Sequence, residues 1–147
     1  MKEAIFRRAR ELGFDDCRVT SAAPPPHAAE FQQWLAAGRH GSMGYLERNA
    51  FKRVDPSEVL AGAKSVIVLA AAYQPKARVK DDEVPRGVIA RYAQHADYHD
   101  VLAGRLKELS AYVNSLGGHD TKSLWYVDTG PLLERDLAQR AGFPNTK

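Results

Sequence analysis

Apolar positions recur along the chain with helical spacing in some stretches and as short continuous runs in others, which predicts helices interleaved with strands. Ile5, Ala9 and Leu12 share one face of a helix over residues 2–12, and Gly13 supplies its stop. A strand around Cys17 and Val19 follows. After Pro24-Pro25-Pro26, a second helix over residues 27–37 turns Phe31, Trp34 and Leu35 inward and stops at Gly38. Asp55-Pro56-Ser57-Glu58 combines a capping residue, a first-turn proline and a glutamate three residues after the cap, so a short helix is expected to run from there to near Gly62. Residues 65–73 are apolar without alternation, the pattern of a central strand covered on both faces. Residues 74–86 are charged and read as a solvated loop, and residues 88–92 as a strand or extended lead-in.

From His99 onward, Leu102, Leu106, Leu109, Val113 and Leu116 step by four, three, four and three, an amphipathic helix closed by Gly117-Gly118. Residues 123–127 then read as a short buried strand, with Gly130 permitting a tight turn and Pro131 suited to the first position of a helix, where a missing N–H costs nothing. No repeat, low-complexity tract or second boundary interrupts this order. The expected architecture is a single layered α/β (α+β) domain with a central mixed sheet flanked by helices.

Composition narrows the picture. A chain of 147 residues is long enough to bury a sound core in one domain. With 44% hydrophobic and 27% charged residues it reads as globular, and no apolar run approaches the roughly 20 residues that a membrane span requires. The N-terminus has basic residues but no apolar signal core, so the chain reads as cytoplasmic. A net charge of +3 permits a polyanionic partner such as RNA without demanding one. Cys17 is the only cysteine, which excludes an internal disulfide, a zinc site built on thiolates and a cysteine-ligated iron–sulfur cluster within the chain. Its expected role is a small buried filler.

Three segments carry candidate chemistry. Asp128 follows the apolar run 123–127 directly; the carboxyl end of a strand is where open α/β sheets bind ligands, although a structural cap or brace is the simpler reading of that motif alone. Gly38, Gly41 and Gly44 fall within seven residues, as expected for a tight turn, a close approach to a ligand or a surface loop. Arg91-Tyr92-Ala93-Gln94-His95-Ala96-Asp97-Tyr98-His99 gathers a cation, phenols, imidazoles and an acid. His95 and His99 have the spacing of a shared helix face, but nothing completes a metal shell, and the phenols suit stacking on a flat or polyhydroxylated ligand better. Arg91 is the natural phosphate or carboxylate contact.

Taken in order, Gly41-Ser42-Met43-Gly44-Tyr45-Leu46, Arg53-Val54-Asp55-Pro56, the run from Ser65 to Tyr73-Gln74-Pro75, Ile89-Ala90-Arg91-Tyr92-Ala93 with Asp97-Tyr98-His99, and Val127-Asp128-Thr129-Gly130-Pro131 with Glu134-Arg135 resemble the epoxyqueuosine reductases. The resemblance spans nearly the whole chain but only the N-terminal part of that family. It implies cobalamin-dependent reduction of epoxyqueuosine to queuosine at the wobble position of a tRNA anticodon, an oxidoreductase step in tRNA processing, with electrons arriving through iron–sulfur clusters of a ferredoxin-like C-terminal domain. By resemblance, Asp128 is the general acid, partly desolvated beside the cobalt centre. Arg91, Tyr92, Asp97, Tyr98, Gly44 and Tyr45 fall to the corrinoid or nucleotide pocket, no residue is a metal ligand, and the tRNA anticodon loop is the partner. After Arg140-Ala141-Gly142 the family continues into a glycine-rich segment, where this chain has Phe143-Pro144-Asn145-Thr146-Lys147. The expectation is therefore a cobalamin- and substrate-binding domain over residues 1–147 without its iron–sulfur partner, inactive by itself. The alternative is a non-catalytic corrinoid- or tRNA-binding module.

Overall fold

A computed structural model describes residues 1–72, 87 and 89–144, the side chain of Arg91 excepted. Two strands, β1 (Asp16–Ser21) and β2 (Ser65–Ala70), pair antiparallel, in register from Asp16 opposite Ala70 to Ser21 opposite Ser65. Cys17 lies across from Leu69 and Val19 across from Ile67, so one face of the ribbon is apolar. Against it pack α1 (Lys2–Glu11) and the twenty-residue α5 (Tyr98–Gly117), and Ile5, Ala9, Phe14, Cys17, Leu106 and Leu109 form the buried centre. The helical spacing read from the sequence is the cause: Leu106 and Leu109 of α5 meet Ile5 and Ala9 of α1. Val127 is partly buried against the same cluster.

The mixed α/β class expected from the sequence holds, with a small sheet. β2 ends at Ala70 rather than at Tyr73, none of its residues is fully buried, and β1 is its sole ladder partner among the described residues. The expected loop over 74–86, Tyr73 and Val88 lie outside the described residues. Residues 123–127 do not join the sheet. Ser123 is instead tied to α5, its hydroxyl 2.7 Å from Ser110 Oγ and donating to Asn114 Oδ1 at 2.8 Å. Leu124, Trp125 and Tyr126 are exposed as a result.

Three short helices, α2 (Ala28–Ala36), α3 (Gly44–Arg48) and α4 (Ala50–Val54), cover the region between the strands in sequence. Part of the glycine-bearing segment is therefore helical. The predicted start at Asp55 is a single 3-10 turn, Pro56–Glu58, with the Asp55 carboxylate accepting from the Ser57 N–H at 2.9 Å.

The last helix, α6 (Glu134–Arg140), packs beside β2 through Leu137, which is fully buried. It begins three residues beyond Pro131, so the proline precedes the helix instead of opening it. Polar contacts pin α6 to the other end of the ribbon. Arg140 donates to Thr20 Oγ1 at 3.1 Å and to the carbonyls of Ser21, Ala23 and Pro24 at 2.6, 3.0 and 2.9 Å. Asp136 accepts from the backbone N–H of His27 and contacts its ring Nδ1, both at 2.9 Å. Arg18 donates to the Gly142 carbonyl and lies 4.7 Å from the Phe143 ring centroid.

Cys17 is the buried filler that its surroundings in the sequence implied. Desolvation, helped by the negative charge of Asp16, pushes its thiol up to about 11 from an ordinary 9.0. Because the folded value is the raised one, the contribution of the neutral thiol to stability is complete below the ordinary value and is lost as the pH rises through about 11. Iodoacetamide at pH 8 is expected to label the folded chain far more slowly than the urea-unfolded chain, measured by intact mass. Equal rates would show the thiol to be exposed.

Candidate active site

The site forms where the core cluster ends. Val127 is held by the core, and the next residue, Asp128, turns the backbone outward in a left-handed conformation with φ of 57°. It is the sole non-glycine residue with positive φ among those described. Such a conformation costs roughly 1 kcal/mol for most side chains and is tolerated best by aspartate and asparagine. The strained residue is therefore Asp128 itself and not Gly130, which was expected to supply the turn. Gly130 serves a different need: a Cβ there would lie 2.6 Å from Tyr126 Cγ, so only glycine lets that ring fold over the turn. The turn is closed by the Thr129 N–H donating to the Val127 carbonyl at 2.6 Å.

The Arg91–His99 segment reaches the same place from the other side. Arg91–Gln94 is a 3-10 turn, Asp97 caps α5, and Tyr98 is the first residue of that helix. His95 precedes the helix, so His95 and His99 do not share a helix face. The Asp97 carboxylate accepts from the His99 N–H and contacts His99 Nδ1, both at 2.8 Å. The His99 backbone bond, then its side-chain bond, hold the Asp97 carboxyl below its ordinary value. The stability this cap contributes is present above the ordinary carboxylate range and fades as the pH falls through the depressed value.

Tyr98 joins the two segments. Its hydroxyl donates to Asp128 Oδ2 at 2.9 Å across thirty residues of sequence. The His99 ring stacks on Tyr98 at 4.2 Å between centroids, and Tyr92 meets Tyr98 edge-on at 6.4 Å. The hydrogen bond to Asp128, more than the other nearby groups, pushes the Tyr98 phenol above its ordinary value. Asp128 and Tyr92 are exposed.

Two further residues were not picked out from the sequence as parts of the site. Arg53, at the end of α4, donates from Nη1 to the Leu132 carbonyl at 3.2 Å, and its buried Nε has no hydrogen-bond partner among the described residues. Partial desolvation, then the charge of Asp128, raise the Glu134 carboxyl above its ordinary value, against the lowering pull of Arg53. Both residues lie in segments quoted for the resemblance, but nothing in their spacing announces that the fold brings them to one turn.

Of the expected site residues, Tyr92, Asp97, Tyr98 and Asp128 come together. Gly44 and Tyr45 begin α3, and the contact described for Tyr45 is within its own segment, from Oη to Met43 Sδ at 3.6 Å. A Cβ at Gly44 would meet nothing within 4 Å, so that surface is open. Two surface cavities, of about 310 Å³ between α1 and α5 and about 280 Å³ between β2 and α6, are lined by other residues. Among the described residues, no group of three or more histidine, cysteine, aspartate or glutamate side chains is placed to hold a metal ion, and no helix is long and apolar enough to cross a membrane.

A small mixed α/β domain that carries one acid on a turn, hydrogen-bonded to an aromatic cluster, defines the class. The profile described as "Epoxyqueuosine reductase QueG, DUF1730" matches residues 53–129, the span from Arg53 through Asp128, and the chain belongs to the epoxyqueuosine reductase family. The epoxyqueuosine reductase of Cyclobacterium marinum is 34% identical over 142 residues, covering 95% of this chain and 45% of the relative. A crystal structure of epoxyqueuosine reductase with an epoxyqueuosine-modified tRNA-Tyr stem loop is similar with a TM-score of 0.73 at 31% identity, over 96% of this chain and 38% of that one. The Bacillus subtilis epoxyqueuosine reductase, solved with an aspartate-bearing catalytic loop swung out of the active site, gives 0.71 at 29% identity over 96% and 37%. The chain thus spans less than half the length of these relatives.

Proposed function

We propose that the chain is the cobalamin- and substrate-binding part of an epoxyqueuosine reductase, acting on the wobble nucleotide of a tRNA anticodon loop, with Asp128 as general acid. The observation that carries this reading is the Tyr98–Asp128 hydrogen bond: two segments thirty residues apart converge on one exposed carboxylate within a family-matched span. Removing the epoxide oxygen to leave an alkene consumes two electrons and two protons and releases water. Bound cobalamin would supply the electrons, recharged by iron–sulfur clusters held in a ferredoxin-like domain outside these residues. Asp128 gives a proton to the epoxide oxygen as its carbon–oxygen bond breaks, which avoids forming a free alkoxide.

The described residues suit one face of a flat ligand. Tyr92 offers an exposed ring and the Gly44 surface is open. Arg91 and Tyr92 are the residues of this chain that would hold the corrinoid or the extruded base, the ring by stacking and Arg91 by a phosphate or carboxylate contact. The tRNA complex of a relative and the mild positive charge support an anticodon loop as the macromolecular partner.

Titration of the chain with cob(II)alamin is expected to shift the corrinoid's visible bands in a saturable manner. An unchanged spectrum across a large excess of chain would remove the corrinoid from this domain.

A further inference from the structure

We infer that Tyr98 is the residue that positions Asp128, its hydroxyl fixing where the carboxyl group presents its proton. The inference rests on the reading of Asp128 as proton donor and adds the element that holds it in place. The backbone around Asp128 is anchored on both sides, by Val127 in the core and Ser123 on α5 before it, and by Arg53 on the Leu132 carbonyl after it. The Asp128 side chain, by contrast, is exposed and gains nothing from packing. Its one described side-chain hydrogen bond is to Tyr98 Oη, at 2.9 Å.

Tyr98 is itself well fixed. It opens a twenty-residue helix capped by Asp97, with His99 stacked on its ring and Tyr92 at its edge. The position of the phenol oxygen is therefore set by α5, which is rooted in the core through Leu106 and Leu109. A group that reacts from an exposed turn depends on such a brace, because a displacement near 1 Å can cost about a hundredfold in rate. The relative whose catalytic loop is swung out shows that a loop of this kind has more than one position in that protein.

Tyr98→Phe keeps the ring and removes the donor. In the full gene product that carries this chain, it is expected to lower kcat about tenfold to a hundredfold with KM for the modified tRNA unchanged within about twofold. If the Tyr98 hydroxyl instead bound the nucleotide, KM would rise at constant kcat, and the inference would fall. In an Asp128→Asn background, Tyr98→Phe is expected to cause no further loss, because the two act as a unit. Additive losses would overturn the pairing. A readout independent of turnover is the Tyr98 ring titration, followed by NMR on ring-labelled tyrosine: Asp128→Ala, which removes the acceptor, is expected to return the raised phenol value toward ordinary, and an unmoved value overturns the contact. If Asp128→Asn alone left turnover intact, the proton-donor reading would fail; if that variant is inactive while Tyr98→Phe is unaffected, only the positioning role fails.

Discussion

Asp128→Asn in the full gene product is expected to lose turnover by about a hundredfold to ten-thousandfold, the range that a positioned general acid contributes. The same variant should fold and bind as before. Asparagine is the other residue that tolerates the left-handed backbone, so the φ of 57° at this position costs it little. Its amide still accepts from the Tyr98 hydroxyl, but it has no acidic proton to give. The comparison thus isolates the proton from the shape of the turn. Single-turnover conversion of epoxyqueuosine-modified tRNA is the deciding measurement, with thermal unfolding as the control for folding. A variant with normal conversion would take Asp128 out of the chemistry altogether.

Arg140→Ala is expected to produce the largest loss of stability among substitutions outside the core. One guanidinium donates four hydrogen bonds, to Thr20 Oγ1 and to the carbonyls of Ser21, Ala23 and Pro24, and so closes α6 onto the end of β1. Water can replace part of this fork, since the site is only half-buried, so the expected loss is about 2 kcal/mol instead of the sum of four charged hydrogen bonds. For a chain of this size that corresponds to a fall of about 4–8 °C in Tm. Arg140→Lys should recover less than half, because an ammonium is a point charge and cannot serve four acceptors spread over a planar fork. Urea unfolding of the three proteins gives the test. A change below about 0.5 kcal/mol in Arg140→Ala would mean that the fork is no stronger than its contacts with water.

The sequence made the framework legible where burial is periodic. Ile5 and Ala9, Cys17, and the step from Leu102 to Leu116 all predicted their elements, because each buries one side against the same cluster. It was less informative where a short apolar run has two possible fates. Residues 65–70 and 123–127 have similar patterns, yet only the first joins the ladder; the second is held to α5 through Ser123, a bond that no pattern announces. Pro131 was read as a helix start from local preference, but Leu137 and Arg140 set where α6 packs, three residues later. The candidate site was legible as two polar segments. Their meeting through Tyr98 and Asp128 is a tertiary fact, as is the approach of Arg53 to the Leu132 carbonyl.

The left-handed turn at Asp128 also bears on how this chain can drift. Single-base changes in an aspartate codon lead to asparagine, glycine and glutamate, among others. Asparagine and glycine suit the backbone at this position, while glutamate, the one replacement that keeps an acid, fits the left-handed conformation less well and carries its carboxylate a methylene further from the turn. Folding therefore offers little resistance to these two substitutions, which abolish the acid, and more to the one that retains it. On the proposed reading, a copy of this gene released from selection on its chemistry would lose Asp128 early and keep a sound domain, so the identity of this single residue would separate a working lineage from a merely folded one.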